Sequence, residues 1–422
     1  WYAYFSPFVE SDTVTYEEAV QADVLIQDDD GEPYLFTGAT FQDTSMVDLT
    51  LEEGQAFVEE RMVAALELGF DGWMADYAEW LPTDATLAGG DGLTLHNAYP
   101  MLWQSVNRNV MEGYDASFFV RSGWAGTAGM VPVVWAGDQR TSFDTDDGFP
   151  TILPLGLGLA ASGVPIFAHD VAGYQSVGNE PSTQELWFRW AWLGAFSPVL
   201  RTHHGAFASE NHQFDTNEET LDHWVNVATE HMRLFPYRYG LANRASEQGT
   251  PMLLPLAFVF DDADWDRMDV WMLGESLLVA PVLEEGSTAR DVELPADVQW
   301  YDWFTLQPVQ SGTFTAEVDE ISVFAAAGTT VPTFDVIPDT LVSDAHEDLI
   351  SWDDADGSRT LYLFGGGGTF TEADGTEYRS IGQATTDDVV TATLSSGCVS
   401  VGGVEVEVSG DVERTYTFIV VE

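Results

Sequence analysis

Five short apolar runs in the first part of the chain each close on a residue able to do chemistry, and this constrains the fold more than any other feature. "FDGWMAD" ends in Asp76, "ASFFVR" in Arg121, "VPVVWAGD" in Asp138, "VPIFAHD" in Asp170 and "PVLRTH" in His203. Longer amphipathic segments separate the runs, among them "STQELWFRWAWLGAF" and "TLDHWVNVATEHMRLF". Strand-length runs alternating with helical periodicity describe repeated strand-helix units around a parallel sheet. Strands that finish in polar groups fit a (β/α)8-type barrel, because the active sites of that architecture sit at the C-terminal rim of its strands.

The local signals fill in this plan. "DLTLEEGQAFVEERMVAALELG" predicts a helix with Thr50 as N-cap, Glu53 completing a capping box and Gly69 as the stop. After about residue 245 the texture changes to short alternating strands with Gly, Pro and Asp turns, as in "PMLLPLAFVF", "SLLVAPVL", "ARDVELPA" and "VQWYDWF". A second all-β stretch carries "RTLYLF" and "TYTFIVV", and "GGGG" at 365–368 reads as a hairpin turn. The expected fold class is α/β: a barrel over residues 1–245, then all-β sandwiches over 246–334 and 335–422. Cys398 is the only cysteine, so neither an internal disulfide nor a Cys-based zinc site can form.

Seventy acidic residues face fourteen basic ones, all arginine, for a formal net charge of -56. Such a surface repels nucleic-acid phosphates and anionic membranes, so neither is an expected partner. It also repels itself, which suits either a protein working at high ionic strength, where repulsion is screened within a few Å, or a secreted acidic protein. The compartment is accordingly either the cytoplasm of a salt-adapted organism or a secreted or periplasmic space. No apolar run reaches membrane-spanning length. The opening "WYAYFSPFVE" has no initiator Met, charged region or cleavage site, which is expected of a mature or truncated product.

Asp76 and Asp138 each follow a tryptophan, Trp73 and Trp135, by three residues. Each carboxyl is therefore expected beside an aromatic wall, with Trp135 available to stack on a sugar ring. Paired carboxyls at a cleft are the minimum equipment for splitting a glycosidic bond, and desolvation suits one of them to act as general acid. Arg121, Asp170 and His203 at neighbouring strand ends could bind several hydroxyls of one sugar. Alone, each of these residues is more often structural; together they point to a site for a carbohydrate substrate. "DDDGEP" at 28–33 and "DTDDG" at 144–148 lack the ligand order of a calcium loop and read as solvated turns. No phosphate loop, dinucleotide fingerprint, nucleophile elbow or zinc helix is present, so no cofactor and no metal are expected.

The string "GFDGWMADYAEWLPTD", "VRSG", "VVWAGDQ", "FAHDVAGY" and "LGAFSPVLRTHHG" resembles glycoside hydrolase family 31, motif by motif and in order. Within that family "MADYAEWLPTD" and the tyrosine of "VAGY" are similar to the sulfoquinovosidase branch. The resemblance implies a retaining, exo-acting α-glycosidase with Asp76 as nucleophile and Asp138 as general acid/base. It implies sugar binding by Arg121, Asp170 and His203, an orienting role for Glu79, and sulfonate binding by Tyr174. The family's N-terminal β-sandwich, first barrel strands and remaining sulfonate ligands are expected before the point where this sequence begins. An α-glucosidase or transglycosylase, and an inactive fragment or carbohydrate-binding remnant, are the alternatives.

Overall fold

The computed structural model describes residues 1–38, 41–176, 181–343 and 345–422, in two compact units, Trp1–Trp135 and Ala136–Glu422. In the first unit, strands Tyr2–Phe5, Gly72–Ala75, Ser117–Val120 and Val133–Trp135 lie side by side in that order, with parallel pairing. The register sets Tyr4 beside Met74, Met74 beside Phe119 and Phe119 beside Val133. Side chains alternate along a strand, so these four share a face, and Asp76, Arg121 and Trp135 continue it at the strand ends.

The other face belongs to the helices. Trp73 stacks on Phe118 and meets Phe5 edge-on, and its Nε1 donates to Asn107 Oδ1 at 2.5 Å. Asn107 lies on helix Tyr99–Gly113, which buries Trp103, Val106 and Val110 at helical spacing. Trp73 is thus core, not the wall of a site. Its three-residue offset from Asp76 is odd, and an odd offset in a strand puts two side chains on opposite faces.

Helix Glu52–Glu67 forms where expected and buries Val58, Met62 and Ala65, but its predicted capping box does not. Leu51 is the N-cap and offers no side-chain bond. The Thr50 hydroxyl instead donates to Asp48 Oδ1 at 2.5 Å, a carboxylate that also takes the Thr50 N–H at 2.9 Å. The stop is as read: Gly69, at φ 97, carries the left-handed turn that ends the helix.

The second unit begins with irregular segments. "VPIFAHD" contributes a two-residue strand, Phe167–Ala168, and "PVLRTH" only a parallel bridge from Thr202 to Val171. Helices Ile152–Ala161, Gln184–Ala195, Glu218–Arg233 and Phe235–Gln248 contribute to a core that includes Leu153, Trp187, Trp190 and Tyr237.

A six-stranded antiparallel sheet follows, ordered Leu253–Leu254, Trp271–Leu273, Leu277–Ala280, Ser322–Ala326, Trp300–Asp302, Pro308–Val309. It shares a core with the ribbon Ala289–Val292 and Gly312–Thr315 through Met272, Phe324, Val292 and Phe314. "PMLLPLAFVF" is not one strand: Pro255, with no N–H to give a ladder, caps the short helix Leu256–Val259.

The last sheet runs Thr329–Phe334, Ser358–Phe364, Val404–Val421, Glu377–Gln383, Gly366–Thr371, and Asp388–Val401 pairs along the long strand. The glycine run is not a hairpin turn. Gly365 turns the chain at φ 66, while Gly366 and Gly368 sit in a strand paired with Glu377–Gln383 rather than folded back on Ser358–Phe364. A Cβ on Gly368 would fall 2.6 Å from the Gly328 carbonyl oxygen, so this close backbone approach requires glycine.

Candidate active site

In the first unit Asp76 stands just past the end of strand Gly72–Ala75. Its N–H donates to Phe5 O at 2.8 Å, which fixes the backbone against the neighbouring strand. Tyr4 Oη donates to one carboxylate oxygen at 2.7 Å, and the Tyr77 N–H donates to the other at 2.8 Å. Arg121 Nε stands 3.4 Å from that second oxygen. The same guanidinium donates twice to Glu79 Oε1, at 2.9 and 2.6 Å, and lies 3.9 Å over the Tyr77 ring. Burial and the adjacent Asp76 charge push the Tyr4 hydroxyl well above the ordinary tyrosine range, so it remains a donor.

The turn that makes this arrangement is strained. Tyr77 and Ala78 have φ of 60 and 85, a left-handed conformation costing a non-glycine residue about 1–3 kcal/mol. Two tertiary contacts hold it: Ser122 Oγ donates to Tyr77 O at 2.6 Å, and Ala78 is fully buried. The turn brings Glu79 back to Arg121. Phe8, Phe41, Tyr77 and Trp80 pack into an aromatic cluster alongside.

In the second unit Asp138 is half-buried between Gly137 and Gln139. The Gln139 carbonyl accepts from the N–H groups of Tyr174 and Gln175, both at 2.8 Å, so the Asp138 segment is tied to the segment carrying Tyr174. The Tyr174 ring meets His203 edge-on at 4.9 Å. His203 Nδ1 accepts from the Gly205 N–H at 3.0 Å, which leaves the proton of the neutral ring on Nε2. Burial, with the charges of Arg201 and His204, pushes this imidazole down to about 4.

Asp170 is deeply buried and forms an ion pair with Arg201 Nε at 2.5 Å. Burial raises its pKa, and Arg201 opposes the rise. Val171 N donates to Arg201 O at 3.0 Å, so the two segments run in register and bring Asp170, Arg201, His203 and Tyr174 together. Ala172, at φ 67, supplies the turn toward Tyr174. The neighbouring His169 is structural: Trp190 Nε1 donates to its Nδ1 at 3.0 Å and its Nε2 reaches Ser197 Oγ at 2.9 Å.

The expected site residues therefore fall into two groups, Asp76, Glu79 and Arg121 in one unit, and Asp138, Asp170, Tyr174 and His203 in the other. Trp135 differs from expectation. It shares the face of Asp76 but is 2% exposed, its ring packed edge-on against Phe119 at 5.2 Å, so it is not an open platform for a sugar. Tyr4 and Arg201 were not singled out from the sequence. Arg201 could have been, since it closes the apolar run "PVLR", whereas Tyr4 sits mid-strand and only the register reveals it.

The two acidic runs are turns. Asp28 Oδ1 accepts from the N–H groups of Asp30 and Glu32, and Asp144 Oδ1 from those of Asp146 and Asp147. Among the described residues no cluster of His, Cys, Asp and Glu is placed to hold a metal ion, and no helix is long and apolar enough to cross a membrane.

Comparison with known proteins supplies a frame for this geometry. Residues 2–241 match the glycosyl hydrolases family 31 TIM-barrel domain, and residues 249–331 match the glycosyl hydrolase family 31 C-terminal domain. The sulfoquinovosidase of Escherichia coli (strain K12) is 35% identical over 335 residues, 77% of this chain and 49% of that protein. The sulfoquinovosidase of Agrobacterium fabrum is 33% identical over 306 residues, 70% of this chain and 46% of that protein. A family 31 sulfoquinovosidase from E. rectale, solved with an aza-sugar inhibitor, aligns with a TM-score of 0.74 at 30% identity, covering 76% of this chain and 50% of its own. The chain spans about half the length of the curated relatives it matches.

Proposed function

This chain belongs to glycosyl hydrolase family 31, and from that premise we propose that it carries the catalytic machinery of a retaining, exo-acting α-glycosidase. The observation that carries the reading is the fixed orientation of Asp76, both of whose carboxylate oxygens accept hydrogen bonds, from Tyr4 and from the Tyr77 N–H. A carboxylate so held loses little freedom when it attacks, which is how a positioned nucleophile lowers a barrier.

In the proposed cycle Asp76 attacks the anomeric carbon while the protonated Asp138 delivers a proton to the departing glycosidic oxygen. The bond to the aglycone breaks and a glycosyl-aspartate forms. Asp138, now a carboxylate, takes a proton from the incoming water, whose oxygen displaces Asp76 and releases the sugar with its configuration retained. Glu79 holds Arg121 in place, Asp170 and Arg201 accept and donate to sugar hydroxyls, and His203 donates through Nε2–H. In the same reading the chain divides into a barrel over 1–245 and β-rich parts over 246–334 and 335–422.

The favoured substrate is an α-sulfoquinovoside, on the strength of the two sulfoquinovosidase relatives and of Tyr174 beside His203. The net charge of -56 favours the alternative, a neutral α-glucoside, because a sulfonate would approach against long-range repulsion. The same charge underlies the proposal that the protein works at high ionic strength, where this repulsion is screened. Aryl α-sulfoquinovoside and aryl α-glucoside, assayed side by side from low to molar salt, test the reading. Release of the α-anomer from the sulfonated substrate supports it. Preference for the glucoside shifts the substrate, transfer to an added acceptor sugar indicates a transglycosylase, and no turnover of either indicates an inactive fragment or a carbohydrate-binding remnant.

A further inference from the structure

Three ionisable side chains that the proposed reaction does not use, His169, His231 and Arg238, converge on the turn 195–198 of the second unit. Two come from the helices behind it: His231 Nδ1 donates to Ala195 O at 3.0 Å and Arg238 Nη1 to Pro198 O at 3.1 Å. The third comes from beside the site. His169, fully buried and next in sequence to Asp170, reaches Ser197 Oγ at 2.9 Å. The same turn leads directly into the segment of Arg201 and His203, so the contact spans the two segments that meet in the Asp170–Arg201 ion pair.

The direction of each bond along this chain of contacts is fixed. Trp190 Nε1–H can only donate, so His169 Nδ1 accepts, at 3.0 Å, and the proton of the neutral ring sits on Nε2. That N–H donates to Ser197 Oγ, whose hydroxyl in turn donates to Leu193 O at 2.7 Å. Burial and the charge of Arg201 push the imidazole down to about 3, so it stays neutral at ordinary pH. Helix Gln184–Ala195 stands close behind both segments: a Cβ on Gly194 would fall 2.6 Å from Leu200 on one and 3.3 Å from Val171 on the other. The bond from Val171 N–H to Arg201 O joins the segments at one point. The His169–Ser197 bond adds a second, and two points fix a relative angle where one leaves a hinge.

We propose that His169 is a positioning residue, which through Ser197 holds Asp170 and Arg201 in the orientation that meets a sugar. It acts only through that pair, and its effect on turnover rests on the sugar-binding role proposed for them. His169→Leu and Ser197→Ala each cut the tie, whereas His169→Gln can return an amide N–H to about the place of Nε2. One readout needs no turnover: the NMR titration midpoint of His203, which Arg201 helps to hold near 4, should rise toward 6.5 in both cut variants and return in His169→Gln. The other is kinetic. KM for an aryl α-glycoside should rise about tenfold in the cut variants while kcat stays within about threefold, as for lost binding rather than lost chemistry. A lower melting temperature with midpoint and KM both unmoved would mean that His169 only fills the core, and overturns the proposal. A raised midpoint with KM unmoved upholds the tie and removes Asp170 and Arg201 from sugar binding, so that the proposed function fails instead. Should His169→Leu not fold, Ser197→Ala, which loses a single oxygen, decides on the same two readouts.

Discussion

Asp76 takes hydrogen bonds on both carboxylate oxygens from neighbours in strand and turn, whereas Asp170 lies deeper, against the Arg201 guanidinium. Each acid ends an apolar run, and each is followed by a non-glycine residue in left-handed conformation, Tyr77 in one case and Ala172 in the other. The surroundings then diverge. Around Asp76 the donors fix a direction, and Arg121 is shared with Glu79. Around Asp170 low polarity does the work: it raises the carboxyl's pKa and, together with Arg201, keeps the nearby His203 neutral down to about pH 4. Similar posts thus differ in kind, an oriented carboxylate in one unit, which we propose attacks the sugar, and a set of buried hydrogen-bonding groups in the other.

The sharpest way to break this contrast is to delete the two carboxyls proposed to react. Asp76→Ala should reduce turnover of an aryl α-glycoside by about four orders of magnitude or more, because it removes the proposed nucleophile. Near-normal kcat in that variant would remove Asp76 from the chemistry. Asp138→Ala should lose about 10²–10⁴-fold on substrates with poor leaving groups and far less on those with good ones, because an acidic leaving group departs without a proton. Equal losses across a leaving-group series would argue that Asp138 is not the acid.

A smaller effect separates orientation from mere presence. Tyr4→Phe removes the 2.7 Å hydrogen bond to Asp76 while keeping the ring, and should lower kcat about ten- to hundredfold with little change in KM, matching the loss of about 1.5–3 kcal/mol for a bond to a charged group. If kcat is unchanged, Asp76 is not held by Tyr4 in any way that matters for attack.

How these groups were legible depends on where their information lies. Asp76, Arg121, Asp138, Asp170 and His203 each end or follow an apolar run, and run endings are visible in one dimension. Tyr4 is visible only through register, since it meets Asp76 because strand Tyr2–Phe5 pairs with Gly72–Ala75. The tryptophans misled for a related reason. Spacing in sequence placed Trp73 and Trp135 beside the acids, but strand parity sends Trp73 to the helices, and packing with Phe119 buries Trp135. Thr50 failed as a cap because Asp48, two residues earlier, competes for its hydroxyl. The glycine run misled because the pairing of Gly366–Thr371 is decided by a strand reached only later in the chain, Glu377–Gln383.

The finest test of the contrast concerns Arg201, which acts on two titrations at once. Its positive charge lowers the pKa of His203 and opposes the burial that raises that of Asp170. Arg201→Gln should therefore move both pKa values upward: the imidazole from about 4 toward 6.5, and the carboxyl further above the ordinary aspartate range. The sign carries over to stability. A histidine whose folded pKa lies below its unfolded value favours the folded state fully above about pH 6.5, and that contribution is lost as pH falls toward 4. Arg201→Gln should shrink the His203 part of this acid-side loss, so that the melting temperature falls less steeply between those two pH values than in the parent chain. Following the His203 ring protons by NMR against pH reads the same change directly. A midpoint near 6.5 in the unaltered chain, or one that does not rise in the variant, would mean that burial and Arg201 do not govern this imidazole. The proposed division between an oriented acid and a buried neutral ring would then fail in the second unit.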